Sequence, residues 1–196
     1  MTASIQELSF SGVVLAGGYS SRMGREKALL PVDGQPLWRR QYDLLAQAGA
    51  KECYVSVRKE QDWLPDDVAR VDDSVVDCGP LSGLAAVTLW VKRTHLIVLA
   101  VDLPELPLQW LTRLQASCLY GLGAVGLHEE EGFEPLAAIY PAEMFPFIRA
   151  CLSSRDLSMQ SMLRRATASG LMRALPIKKE EERWFENWNT PEQITE

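Results

Sequence analysis

The sequence predicts an α/β fold: one mostly parallel central sheet with helices on both faces. Three observations carry that prediction. Leu96-Ile-Val-Leu-Ala-Val101 is apolar at every position, which suits a strand covered on both faces, as at the centre of a parallel sheet. Strand-like and helix-like segments alternate along the chain, the βαβ pattern that builds parallel sheets. An apolar run, Val13-Val-Leu15, leads into Gly17-Gly18, the strand-to-loop transition of Rossmann-like, three-layer nucleotide-binding folds.

Each element follows from a local signal. The first strand covers about residues 11–16. Pro36 stands where a helix would begin and Gly49 where it would stop. Between them Leu37, Gln41, Leu44, Leu45 and Ala48 mark one helical face. Cys53–Val57 is β-rich and reads as the second strand, with residues 69–72 a short third one. Gly79-Pro80 opens an amphipathic helix expected over 81–92, and the buried strand at 96–101 follows. A helix over 108–118 and a strand over 123–127 complete the first part. Glu129-Glu-Glu131 with Gly132 is a solvated turn. Beyond it come a strand over 136–140, helices over 142–152 and 158–166, and a strand over 171–177. The mixed run Lys178–Arg183 reads as a surface loop. Thr190-Pro191-Glu192-Gln193 forms a capping box that opens a last short helix. The expectation is a single domain over 1–196, with a nucleotide-binding half at about 10–128 and an acceptor-binding half at about 129–196.

Composition narrows the function classes. A net charge of −6 leaves no excess of Lys and Arg for nonspecific nucleic-acid binding. Apolar runs are too short to span a bilayer, and the first residues lack a signal-peptide pattern. Cys53, Cys78, Cys118 and Cys151 are scattered, with no C-x-x-C pair, so the expectation is reduced thiols in a cytoplasmic protein, without a zinc site. Cys78 lies beside a glycine loop, where it serves either packing or reactivity. His95 and His128 stand in no catalytic arrangement.

The chemistry concentrates in residues 14–30, Val-Leu-Ala-Gly-Gly-Tyr-Ser-Ser-Arg-Met-Gly-Arg-Glu-Lys-Ala-Leu-Leu. Glycines let backbone N–H groups approach a base or phosphates closely. Ser20 and Ser21 add hydroxyls; Arg22 and Lys27 suit phosphate oxygens. The run lacks the G-x-x-x-x-G-K-[ST] of a Walker A loop and the G-x-G-x-x-G of a dinucleotide fingerprint. Asp102 directly follows the buried strand, at the edge where open α/β sheets bind ligands. There it either holds Mg²⁺ or caps the turn before Pro104.

The run at 14–30 resembles the L-A-G-G-x-S-x-R-M-G-x-[DE]-K-x-L-L signature of the molybdenum cofactor guanylyltransferase family, the MobA type, within the MobA-like nucleotidyltransferases. The resemblance covers nearly all of the chain. Asp102 matches the family's metal-binding Asp, with Val101 where Cys is usual. Asp73 and Gly79-Pro-Leu-Ser-Gly83 match its D-x-x-x-x-x-G-P-L-x-G segment, Glu134-Pro-Leu its [HQE]-P-L strand, and Asn187-Trp-Asn189-Thr-Pro its N-x-N-T-P. Ser56 stands where the family often carries Asn.

What the resemblance implies is transfer of GMP from GTP to the phosphate of Mo-molybdopterin, with Mg²⁺ as cofactor and Mn²⁺ as the alternative ion. Leu15, Ala16, Gly17, Gly18, Lys27, Ser56, Asp73 and Asp102 would bind the nucleotide. Arg22, Lys27 and Asp102 would carry catalysis. Gly79, Pro80, Gly83, Glu134, Asn187 and Asn189 would meet the acceptor. For Glu134 a core-strand role, and for Asn189 positioning of the last helix, stand equally open. Molybdoenzymes or their chaperones would receive the product. Relatives using cytidine triphosphate carry Ala at the position of Gly17, so glycine there favours a purine by leaving it room. The alternatives are a cytidylyl- or sugar-phosphate nucleotidyltransferase of the same fold, or a non-catalytic nucleotide-binding regulator.

Overall fold

In the computed structural model, residues 7–18, 26–73, 75 and 77–188 are described. Strand β1 (Phe10–Leu15) lies inside a seven-stranded sheet. On one side it pairs in parallel with β4 (Cys53–Val57), which pairs in parallel with β5 (Ala69–Asp72). On its other side it pairs in parallel with β6 (His95–Ala100). Beyond β6 the sheet continues through antiparallel β8 (Gly132–Pro141), then β7 (Gly123–His128), then β9 (Met172–Pro176), which is parallel to β7. The sheet is mostly parallel, with β8 running against its neighbours.

Period-two alternation divides the strand residues between two cores. Val14, Ile97 and Leu99 face helices α1 (Leu37–Gln47) and α3 (Leu108–Ser117), represented by Leu37, Leu45, Trp110 and Leu114. Val13, Leu96 and Val98 face α2 (Pro80–Val87), α4 (Phe145–Ser153) and α5 (Met159–Ala168), through Leu84, Ile148 and Met162. β6 is buried at all six positions, as its uniform apolarity predicts. Helices therefore cover both faces, giving the expected three layers.

Three local expectations are corrected and one small element is added. The helix expected over 81–92 ends at Val87, and seven of its eight residues are buried, so it packs on all sides instead of being amphipathic. The helix expected from residue 142 starts as a 3-10 turn (Ala142–Met144), and α4 begins at Phe145 with Pro146 in its first turn, where a missing N–H is tolerated. Lys178–Arg183 is not a loop: a 3-10 helix spans Lys179–Phe185. Within it the buried Glu181 carboxylate accepts two bonds from Arg113 of α3, at 2.8 and 3.0 Å, and one from the Lys178 amide at 2.9 Å. The charge run read as solvated because its neutralising partner stands far away in sequence. A two-strand ribbon, β2 (Pro31–Val32) with β3 (Gln35–Pro36), adds a hairpin whose turn residues Asp33 and Gly34 both have positive φ. The capping box at Thr190 lies outside the described residues.

The topology places the site. From β1 the chain moves outward to β4 and β5, then crosses back to β6 on the other side of β1. The order reverses between β1 and β6, and such a switch point opens a crevice at the carboxyl ends of the strands. Leu15 pairs with Ala100 there, so Ala16–Gly17 and Val101–Asp102 emerge side by side. Among the described residues no helix is long and apolar enough to cross a membrane.

Candidate active site

A cleft of about 640 Å³ lies at this switch point. Leu15, Ala16, Gly17 and Gly18 line it from the end of β1, and Ser56 and Arg58 from the end of β4. Asp73 enters after β5, Gly79, Pro80 and Gly83 from the start of α2, and Lys27 and Asp102 also line the cleft. Cys78 lines the cleft and is buried, and all four cysteines are free.

Asp73 sits between two glycines. A Cβ on Gly17 would lie 2.4 Å from its Oδ2, and a Cβ on Gly83 would lie 2.6 Å from its Oδ1 and 2.5 Å from Ser56 Oγ. The Ser56 hydroxyl donates to Oδ1 at 3.3 Å. Burial pushes the Asp73 carboxyl up to about 6, while the Ser56 bond and the Arg58 charge pull it back only partly. Gly83, expected toward the acceptor, thus packs against Ser56 and Asp73, which were expected to bind the nucleotide. The neighbour that would meet a methyl on Gly17 is the Asp73 carboxylate of the protein itself.

A clasp behind the glycine turn went unread in the sequence. Arg58 Nη1 donates to the carbonyls of Gly17 and Gly18, each at 2.7 Å, and Nη2 to Glu26 at 3.1 Å. Gln61 donates to the Ala16 carbonyl at 3.2 Å and to Glu26 at 2.7 Å. Arg70 in turn donates to the carbonyls of Arg58, Lys59 and Gln61. In a trans peptide N–H and C=O point in opposite directions. Holding the carbonyls of residues 16 and 17 therefore turns the amides of Gly17 and Gly18 away from the clasp, and no acceptor among the described residues takes them. The one sequence signal was position: charged residues directly after a strand at the ligand-binding edge.

Lys27 opens a 3-10 turn (Lys27–Leu29), and its ammonium lies 3.0 Å from Asp102 Oδ2. The Trp188 amide donates to the Asp102 carbonyl at 3.1 Å, which brings the C-terminal segment to the same strand end. Among the described residues no three His, Cys, Asp or Glu side chains converge to form a closed metal site. Mg²⁺ commonly binds one or two carboxylates and completes its shell with waters and substrate phosphates. Asp102, partly exposed toward a nucleotide-sized cleft, fits that mode.

Glu134 on β8 is not among the residues that line the cleft. Its Oε2 is 3.6 Å from His128 Nε2, its Oε1 accepts from the Leu136 amide at 3.4 Å, and burial raises its carboxyl above the usual range. Leu136, two residues on, reaches the cleft wall. Asn187 is exposed beside Trp188. Arg22 and Asn189 lie outside the described residues, as do Ser20, Ser21 and Gly24. His95 is fully buried at the amino end of β6, with Nε2 3.2 Å from the Leu122 carbonyl, far along the strand from the cleft.

The sequence model of the MobA-like NTP transferase domain matches residues 12–170. The chain belongs to this family. It is 39% identical over 193 residues to a protein of Opitutus terrae named "Probable molybdenum cofactor guanylyltransferase", covering 94% of this chain and 92% of the relative. It is 35% identical to the molybdenum cofactor guanylyltransferase of Xanthomonas euvesicatoria, with the same coverage of both chains. Among solved structures it resembles the molybdopterin-guanine dinucleotide biosynthesis protein A of Archaeoglobus fulgidus, with a TM-score of 0.67 at 19% identity over 94% of both chains. It also resembles the 2-C-methyl-D-erythritol 4-phosphate cytidylyltransferase of Thermus thermophilus, with a TM-score of 0.69 at 15% identity, covering 95% of this chain and 96% of that one. At such identities these structures establish the nucleotidyltransferase fold.

Proposed function

We propose that this MobA-like protein transfers GMP from GTP to the phosphate of Mo-molybdopterin, releasing pyrophosphate and giving molybdopterin guanine dinucleotide cofactor. The observation that carries the proposal is the joining of Gly17–Gly18, Lys27, Asp73 and Asp102 around one cleft at the sheet's switch point. The guanylyltransferase names of relatives matching nearly the full chain support the choice of GMP over CMP.

The acceptor's phosphate oxygen attacks the α-phosphorus of GTP; one P–O bond forms, the α–β bridge breaks, and its electron pair leaves on pyrophosphate. A phosphate monoester has a second pKa near 6, so it is already a dianion at neutral pH and needs no protein base. That accords with a cleft wall that holds neither histidine. The remaining work is positioning and charge stabilisation. The outward-turned amides of Gly17 and Gly18 hold acceptors of the nucleotide. Lys27, paired to Asp102 across the cleft wall, is within reach of incoming phosphates and exchanges one anionic partner for another. Asp102 would hold Mg²⁺, which supplies Lewis-acid polarisation of the phosphates when bound. Arg22 joins Lys27 on the leaving group in this reading. Glu134, Asn187 and Asn189 are assigned to the acceptor side, with molybdoenzymes or their chaperones taking the product. Four free cysteines suit a reducing cytoplasm, and the net charge of −6 suits a protein without nucleic-acid partners.

The test is a panel of nucleoside triphosphates with Mg²⁺ and molybdopterin, following pyrophosphate and the dinucleotide product. Turnover with GTP alone is expected. Turnover with CTP instead would overturn the base assignment, and release of pyrophosphate only with a sugar phosphate would overturn the acceptor.

A further inference from the structure

We propose that Gly17 and Gly83 are positioning residues for Asp73: they admit its carboxylate into the cleft wall, and position 17 tunes nucleotide binding through that carboxylate, not through space for the base. The inference deepens the reading of this cleft as a nucleotide site and rests on it.

Neither glycine has a left-handed backbone; the positive-φ glycines lie elsewhere. What each supplies is the absence of a Cβ. A methyl carbon and a carboxylate oxygen approach no closer than ordinary van der Waals contact, well beyond the 2.4 Å at Gly17 and the 2.6 Å at Gly83. The two clashes fall on opposite oxygens of one carboxylate. Asp73 is short, and on the Gly83 side Ser56 Oγ blocks the same space. A Cβ at either position therefore expels the carboxylate from its seat. Gly18 makes the contrast: among the described residues a Cβ there would meet nothing within 4 Å, whereas one on Gly17 meets Asp73.

The seat has a purpose beyond packing. Among the described residues the Asp73 carboxylate accepts one hydrogen bond, the long one from Ser56, and its Oδ2 accepts none. A half-buried carboxylate so poorly paired is costly unless a ligand completes it. Its partners would be N–H or O–H donors of a nucleoside, from the base edge or the ribose diol.

The experiment is a double-mutant cycle on nucleotide affinity in the full chain, with Gly17→Ala, Asp73→Ala and both together. GTP with Mg²⁺ is the probe, after the wild type has been tested against all four triphosphates. Each single variant is expected to bind about 10–100-fold more weakly, the loss of bonds to one charged group. The double variant is expected to match Asp73→Ala within about twofold. Multiplying effects, or an unchanged affinity in Gly17→Ala, would overturn the proposal. Urea unfolding supplies an independent reading: the double variant should be more stable than Gly17→Ala alone, because removing the carboxylate relieves the clash, and equal or lower stability would count against it. With 2′,3′-dideoxyguanosine triphosphate, loss of the Asp73→Ala effect assigns the donors to the ribose, and persistence assigns them to the base; either supports the seat. If the wild type selects CTP, the proposed GMP transfer fails while the cycle is read with CTP. Failure to bind any triphosphate overturns both.

Discussion

Replacing Asp73 by asparagine should stabilise the protein while weakening its ligand. The carboxyl is pushed from an ordinary 3.8 to about 6 by burial. Holding it ionised in the folded state then costs about 3 kcal/mol at full value, and the water that reaches an open cleft reduces this to about 1–2 kcal/mol. The sign follows from proton linkage. Because the folded-state value is raised, the folded protein binds more protons than the unfolded chain between about pH 4 and pH 6, and stability falls as pH rises through that window. Below about pH 4 the group is neutral in both states and the cost vanishes; above about pH 6 it is constant. A carboxamide cannot ionise, so the stability difference between Asp73→Asn and wild type should open from near zero at about pH 4 to about 1–2 kcal/mol at about pH 7. Urea unfolding across that range measures it. A difference independent of pH, or a wild type more stable than the variant at neutral pH, would refute the claim that burial dominates this carboxyl. GTP affinity of the same variant should fall, the exchange of stability for function expected of a binding group.

Three further outcomes follow from the site and its supports. Asp102→Ala should lower kcat/KM by at least about 10³-fold while the thermal melt stays cooperative; normal activity would remove Asp102 from metal and phosphate binding. Lys27→Ala should lower kcat/KM by about 10²–10³-fold, and an unchanged value would mean that its 3.0 Å pairing with Asp102 is only structural. Arg113→Ala leaves the Glu181 carboxylate buried with its Lys178 amide bond alone, and should cost about 2–3 kcal/mol in urea unfolding; a loss below about 0.5 kcal/mol would show the 3-10 helix at Lys179–Phe185 to be held by other contacts.

The parts legible in the sequence were those encoded by near neighbours. β4 and β5 fall at the positions their composition marks, β6 is buried throughout as its apolar run requires, and Pro36 and Gly49 bracket α1. Asp102 and the Gly17–Gly18 turn could be placed on one edge, because strand ends of a parallel sheet share it. Less legible was whatever needed a distant partner. The burial of α2 on nearly every side comes from its packing against α4, β4 and β5, which its own pattern does not reveal. Glu181 needed Arg113, and the carbonyls of residues 16–18 needed Arg58 and Gln61.

The chain's local chemistry thus determined an α/β sheet, a phosphate-suited glycine turn, and a carboxylate at the strand end beside it. Only the tertiary structure decided what each glycine faces. Gly17 reads in sequence as room for a ligand, whereas in space its Cα abuts Asp73, and Gly83 abuts the other oxygen of the same carboxylate. The physical reason is that side-chain periodicity and backbone propensity act over a few residues. The fit of a carboxylate between two backbones is instead set by the crossover that follows β5, which carries Asp73 past β4 and packs α2 beside β1.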